Sequence, residues 1–187
     1  MNADFEKLRS LIAHVARSRP KLGKLRLFKL LYLIDFSAHA ELGHSVSGEC
    51  YENFEMGPVP VTLWKNFSRI MAPCTNIEAV PTPLGFDEQQ ITAKDDFTGV
   101  LPHDEAAIAD RILAQFGSFS GNSLKELTHQ QLPYLSTPRG DIIPYGLAGY
   151  LFYRKPKPED AESIRANKPL MERLRGAVLA KQNHEAA

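Results

Sequence analysis

Cysteine is scarce: Cys50 and Cys74 are the only two in 187 residues. That is too few for a disulfide framework, and neither has the close second cysteine that structural zinc usually requires. His39 and His44 lie near Cys50 without completing a tight ligand pair, so no metal site is expected. Net charge is also missing, because 22 Lys and Arg balance 22 Asp and Glu. No global field therefore draws the chain to nucleic acid or membrane. The most apolar run, around 25–36, is broken by Arg26, Lys29 and Asp35 and is too short to span a bilayer. The first ten residues, MNADFEKLRS, lack the apolar stretch of a secretory signal. Phosphate-binding glycine loops and a Gly-x-Ser-x-Gly elbow are absent too. Together these absences lead us to expect a soluble, cytoplasmic chain with reduced thiols, no cofactor and no catalytic set.

What remains is an ordinary globular composition, 43% hydrophobic and 24% charged. Phe5, Leu8, Leu11, Ile12 and Val15 fall at helical spacing, and Pro20 ends that helix, so a first helix is expected over about 3–18. The next, over about 22–42, carries Leu25, Leu27, Leu30, Leu31, Leu33, Ile34 and Phe36 around most of its circumference. A helix of that kind is normally surrounded by others. One line escapes the aliphatic pattern: Lys24, Phe28, Tyr32, Asp35 and His39, three or four residues apart. Gly43 is a natural stop.

Cys50 to Phe54 reads as a strand, and Pro58 and Pro60 suit the first turn of a helix running on through Trp64, Phe67 and Ile70. Two or three short antiparallel strands are expected within 75–101. Helices follow from Asp104 and, capped by Ser120, through Leu124 and Leu127. The segment 130–143 reads as irregular and 145–153 as one more helix. Two helical pieces, 158–166 and 168–181, follow a Lys-Pro run. The expected class is mainly α (α+β), a helical core around a central buried helix with a small antiparallel sheet. Residues 1–155 form the domain, and 156–187 a C-terminal helical extension packed on it.

Three constellations stand out. Arg17, Arg19, Lys21, Lys24, Arg26 and Lys29 put six cations in a short acid-free stretch, the pattern of a phosphate-gripping turn, of a solvated rim or of a surface for an acidic partner protein. Gly57-Pro58-Val59-Pro60, flanked by Phe54, Met56 and Trp64, is a rigid turn with aromatic anchors of the kind found at binding hot spots. Thr128-His129 closes a short helix, where a protonated imidazole would meet carbonyl ends.

At these residues the chain resembles the SocA-like, or Panacea domain, family, long catalogued as a domain of unknown function. Lys29-Leu30-Leu31-Tyr32-Leu33-Ile34-Asp35 is similar to its Lys-Leu-Leu-Tyr-Leu-x-Asp helix. Gly57-Pro58-Val59-Pro60 is similar to its Gly-Pro-Val-Pro core, and Leu124 through His129 to its Leu-x-x-Leu-Thr-His block. The chain departs where Phe54-Glu55-Met56 precedes the turn and where Pro133-Tyr134 follows the third block. The resemblance implies an antitoxin that binds and neutralises a toxin encoded beside it, with some members delivering the toxin to an ATP-dependent protease. It implies no enzyme. Phe28, Tyr32, Asp35, His39, Phe54, Gly57, Pro58, Val59, Pro60, Trp64, Thr128 and His129 are the expected partner-binding residues, with internal support of the turn through hydroxyl and carboxylate hydrogen bonds as the alternative for Tyr32 and Asp35. The alternative is a nucleic-acid-binding regulator using 17–29.

Overall fold

The computed structural model describes residues 5–81 and 87–152. The expected extension at 156–187, with its two helices, lies outside the described residues. The described elements are helical for the most part, with two small antiparallel sheets, so the class is mainly α with a β component.

Helix α1 (Glu6–Ser18) buries Leu8, Leu11, Ile12 and Val15, the stripe its spacing demands. A two-residue strand, β1 (Leu22–Gly23), leads into α2 (Lys24–Leu42), where every residue from 27 to 38 is buried. Gly43 ends α2 in the left-handed region at φ 80°, its N–H donating to the His39 carbonyl at 3.1 Å. This is the central helix. Helix α1, helix α5 (His103–Phe116), helix α6 (Gly121–His129) and a hairpin pack around it. Its aliphatic side chains from Leu27 to Ile34 are closed off from water, each worth about 1.5–3 kcal/mol of burial, while Leu25 and Leu42 near the ends are half-buried. Ser120 caps α6 as expected, its Oγ accepting from Ser123 N–H at 3.1 Å.

Pro58 and Pro60 do not open a helix. Gly57–Pro60 is a strand, β3, paired with β2 (Tyr51–Phe54) across a two-residue turn at Glu55-Met56. The reason is local: each residue before a proline is pushed out of the helical region, and here two such pairs follow one another. Helix α3 (Val61–Lys65) begins only after Pro60, which stands as its N-cap. Asn66, at φ −121°, then breaks the expected continuous helix, and α4 (Phe67–Met71) follows.

Strand β4 (Thr75–Pro81) pairs with β5 (Asp87–Ala93), and β1 adds to β5, giving the order β1-β5-β4. The 130–143 region is more ordered than its composition suggests. It holds α7 (Leu132–Leu135), and residues 140–143 run along the free side of β2. The helix expected at 145–153 is a 3₁₀ turn, Tyr145–Tyr150.

Candidate functional site

The three sequence blocks meet at one buried point. Lys29, on α2, is fully enclosed, and its Nζ donates to the Pro58 carbonyl at 2.8 Å. The hairpin register explains why that carbonyl is free. Asn53 N–H donates to Asp141 O and Asn53 O accepts from Gly140 N–H, both at 2.9 Å, so Asn53 makes no ladder bond to its partner Pro58. The proline nitrogens therefore face away from β2, on the outer edge where a missing donor costs little. The lysine fills the acceptor on that edge. Burial, and then the charge of Lys125, lower the Lys29 ammonium to about 7.

Gly57 is required here twice. Its φ is +87°, and a Cβ would stand 2.8 Å from Thr128 Oγ1 and 2.9 Å from Lys29 Cε. The close approach packs the first strand residue of block two onto the third block. Thr128 is buried, its hydroxyl donating to the Lys125 carbonyl at 3.0 Å. His129 lies flat against Tyr134 at 4.6 Å between ring centroids. Its pKa is lowered, first by burial and then by Lys125 and Lys29. The imidazole is thus held toward its neutral form, contrary to the expectation of a cation at a helix end. Tyr134 hydroxyl donates to the Phe54 carbonyl at 2.9 Å.

Asp35 sits one side of this junction and is fully buried. It accepts from Ser47 N–H at 2.9 Å, from Ser47 hydroxyl and from Tyr51 hydroxyl at 2.6 Å. Burial raises its carboxyl to about 6, with those hydrogen bonds pulling the other way. Asp35 therefore fixes the 45–51 approach to the hairpin rather than the Gly-Pro-Val-Pro strand itself. Phe28 and Tyr32 are buried as well. The line that breaks the aliphatic pattern is interior from Phe28 to Asp35, while its two ends, Lys24 and His39, are half-buried, and His39 stacks on Tyr145 at 4.9 Å.

Two anchors escaped sequence reading. Buried Glu49 accepts from Thr62 and Leu63 N–H at 2.9 and 2.8 Å, capping α3 from twelve or more residues upstream. Asn53 Nδ2 donates to the Tyr134 and Thr137 carbonyls at 3.0 and 2.6 Å. The only early signal was placement: a glutamate beside a strand start, and an asparagine inside a strand, where its propensity is low.

Outside the junction, Phe54, Met56 and Trp64 remain 40%, 44% and 53% exposed. Trp64 meets Phe28 edge-on at 6.2 Å, and Lys24 Nζ lies 4.5 Å from the Trp64 centroid and 4.2 Å from that of Phe67. The other cations of 17–29 are also largely engaged within the chain. Arg17 donates to Phe97 O, Arg19 to Leu113 O at 2.8 Å and Arg26 to Gly117 O at 2.7 Å, while Lys21 is exposed. Arg19 and Arg26 thereby satisfy carbonyls at the end of α5.

Among the described residues no group of three or more His, Cys, Asp or Glu is placed to hold a metal ion. Nor is any described helix long and apolar enough to cross a membrane. Comparison with curated proteins and with solved structures gives no significant match. A family model does match: the SocA-like antitoxin, Panacea domain, over residues 27–133. The match takes in Lys29, the hairpin and Thr128-His129 together, and covers more than half of the chain. The chain therefore belongs to the SocA-like antitoxin family with a Panacea domain.

Proposed function

We propose that this chain is a stoichiometric antitoxin that neutralises a toxin by direct protein–protein contact. The observation that carries the reading is the division of labour around the hairpin. Lys29, Asp35, Glu49 and Asn53 hold it from inside, while Phe54, Met56 and Trp64 stay outside. Exposed aromatics on a rigid support bind with little ordering entropy to lose. Phe28, Tyr32 and Asp35 act as internal support in this reading, and Thr128 and His129 seat the turn. None of these roles is catalytic. Delivery of the bound toxin to an ATP-dependent protease is a further step, read out as faster toxin turnover in cells that carry the protease.

The test is co-expression with the product of the neighbouring reading frame. The triple variant Phe54→Ser, Met56→Ser, Trp64→Ser is expected to lose protection and co-purification while its unfolding midpoint stays within a few degrees. Full protection by that variant would remove these residues from the interface. A nucleic-acid-binding role has less support, because Arg17, Arg19, Arg26 and Lys29 donate to carbonyl oxygens within the chain and Lys24 lies over aromatic rings. Steeply salt-dependent retardation of the upstream DNA would revive it.

A further inference from the structure

The second hairpin, β4–β5, carries an open edge of defined chemistry. Lys94 N–H donates to Cys74 O at 3.0 Å, which fixes the ladder phase just below Thr75–Ala93. In an antiparallel pair bonded and non-bonded pairs alternate, so Asn76–Thr92, Glu78–Gln90 and Val80–Glu88 carry the cross-strand bonds. The N–H and C=O groups of Ile77 and Ala79 then point outward, away from β5. No described strand lies on that side, since β1 occupies the far edge of β5. Proline at position 81 ends the row, having no N–H to offer.

Both faces of this ribbon lie at the surface beyond its base. Thr75 and Ile91 are buried, but Asn76, Ile77, Glu78, Ala79 and Pro81 are exposed. On one face stands Glu78; on the other Ile77 is 37% exposed. The described ribbon residues include Glu78, Asp87 and Glu88 and no lysine or arginine. We propose that the outer edge of β4 accepts an extended basic segment of a partner protein as an added strand, bonded to Ile77 and Ala79. Strand addition takes its affinity from main-chain hydrogen bonds and its selectivity from alternate side chains. The guest carries a cation opposite Glu78 and an apolar residue on the Ile77 face, at a period of two. A second copy of this chain is a poor occupant. The antiparallel register that uses both Ile77 and Ala79 sets Glu78 directly against Glu78, a like-charge pair. This inference is independent of the toxin-binding reading, because it names a different surface and does not require the partner to be a toxin.

The probe is the acetylated, amidated hexapeptide Lys-Val-Lys-Val-Lys-Val, fluorescently labelled and titrated with the full chain. Binding is expected to saturate, to weaken with salt, and to slow amide exchange at Ile77 and Ala79. Ala79→Pro removes one outward donor without touching a bond to β5, and Glu78→Lys reverses the local charge. Each is expected to weaken binding about tenfold or more, and Glu78→Lys to favour the Glu-Val counterpart instead. Methylating the valine nitrogens of the peptide is a control that needs no protein variant, and it too is expected to abolish binding. Unchanged exchange at Ile77 and Ala79, or equal binding of the N-methylated peptide, overturns the proposal. A dimer of the free chain that Ala79→Pro dissolves overturns it as well, by assigning the edge to a second copy.

Discussion

Strands β2 and β3 have four residues each, and all of β3 is buried, whereas the seven-residue strands β4 and β5 bury only Thr75 and Ile91. Strand propensity does not explain this, since three of the four residues of β3 are glycine or proline, which are depleted in strands. The difference lies in buried polar anchors. Lys29 holds the β3 edge, Asn53 ties β2 to α7, Tyr51 reaches Asp35, and Glu49 caps the helix that follows. Among the described residues the second hairpin has no comparable set beyond its base. It is fastened at its base, by β1 and by Lys94 donating to Cys74 and Ala72. A hairpin of weak strand formers can thus be the more deeply buried of two when the surrounding elements supply partners for its edges.

The sharpest way to break the contrast is at Gly57. Gly57→Val forces a β-branched residue to φ +87° and drives a side chain into Lys29 and Thr128. Left-handed strain and overpacking together are expected to cost about 4 kcal/mol. Urea unfolding measures this; a midpoint close to the parent's would mean the junction is looser than its geometry implies.

Lys29 sharpens the comparison through pH. Its folded value of about 7 lies below the ordinary 10.5, so between those limits the unfolded chain binds a proton that the native state has released. Stability therefore rises with pH across that window. Lys29→Met abolishes this contribution, although Pro58 O then loses its donor. The wild type is expected to gain about 2 kcal/mol on the variant between pH 7 and 9. Parallel stability curves for the two proteins would assign the slope to other groups. Asp35 works in the opposite sense at lower pH. Its carboxyl is raised from 3.8 to about 6, so the native state keeps a proton the unfolded chain has lost, and stability falls as pH rises through that interval.

How much of this was readable in advance follows from the range of the interactions. Helix α2 was legible because apolar residues run round most of its circumference over a stretch too long for a strand, and Gly43 stops it. Ser120 was legible because its capping partner is three residues away. The nature of β3 was half legible: two X-Pro steps in succession disfavour helix, yet the same prolines also fit a helix start. The sequence leaves Tyr32 and Asp35 open between a partner surface and internal support, and only folding, which buries both, names what they touch. Their partners, Ser47 in the loop after α2 and Tyr51 at the start of β2, are not marked by any local spacing within α2. The acceptors of the cations in 17–29 were hidden for the same reason, since the carbonyls that Arg19 and Arg26 serve lie more than ninety residues along the chain. Charge clustering in sequence says nothing about acceptors that only folding brings near.

Trp64 tests whether the exposed side of the first hairpin region is separable from its buried side. Trp64→Ala removes the face beneath Lys24 and an edge contact to Phe28. With half of the ring already in water, the loss of stability is expected to be about 1 kcal/mol. A loss as large as that of Gly57→Val would mean that the aromatic surface belongs to the core after all.

The smallest effect is expected where the two hairpins share a geometric feature. Pro58 in β3 sits at a position whose nitrogen points off the pair, and Ala79 in β4 occupies the same class of position. Ala79→Pro therefore costs no ladder bond, and Glu78 before it is already extended, as a residue preceding proline prefers. The change in unfolding free energy is expected to be about 0.5 kcal/mol or less, against about 1–3 kcal/mol for a proline that removes an internal ladder donor. Val80→Pro, one residue along at a bonded position, is the matched control. If both prolines cost the same, the ladder phase assigned to β4 is wrong, and the open edge with it. If only Val80→Pro is costly, the outward row at Ile77 and Ala79 is free of structural duty, which is the condition a strand-accepting edge must meet.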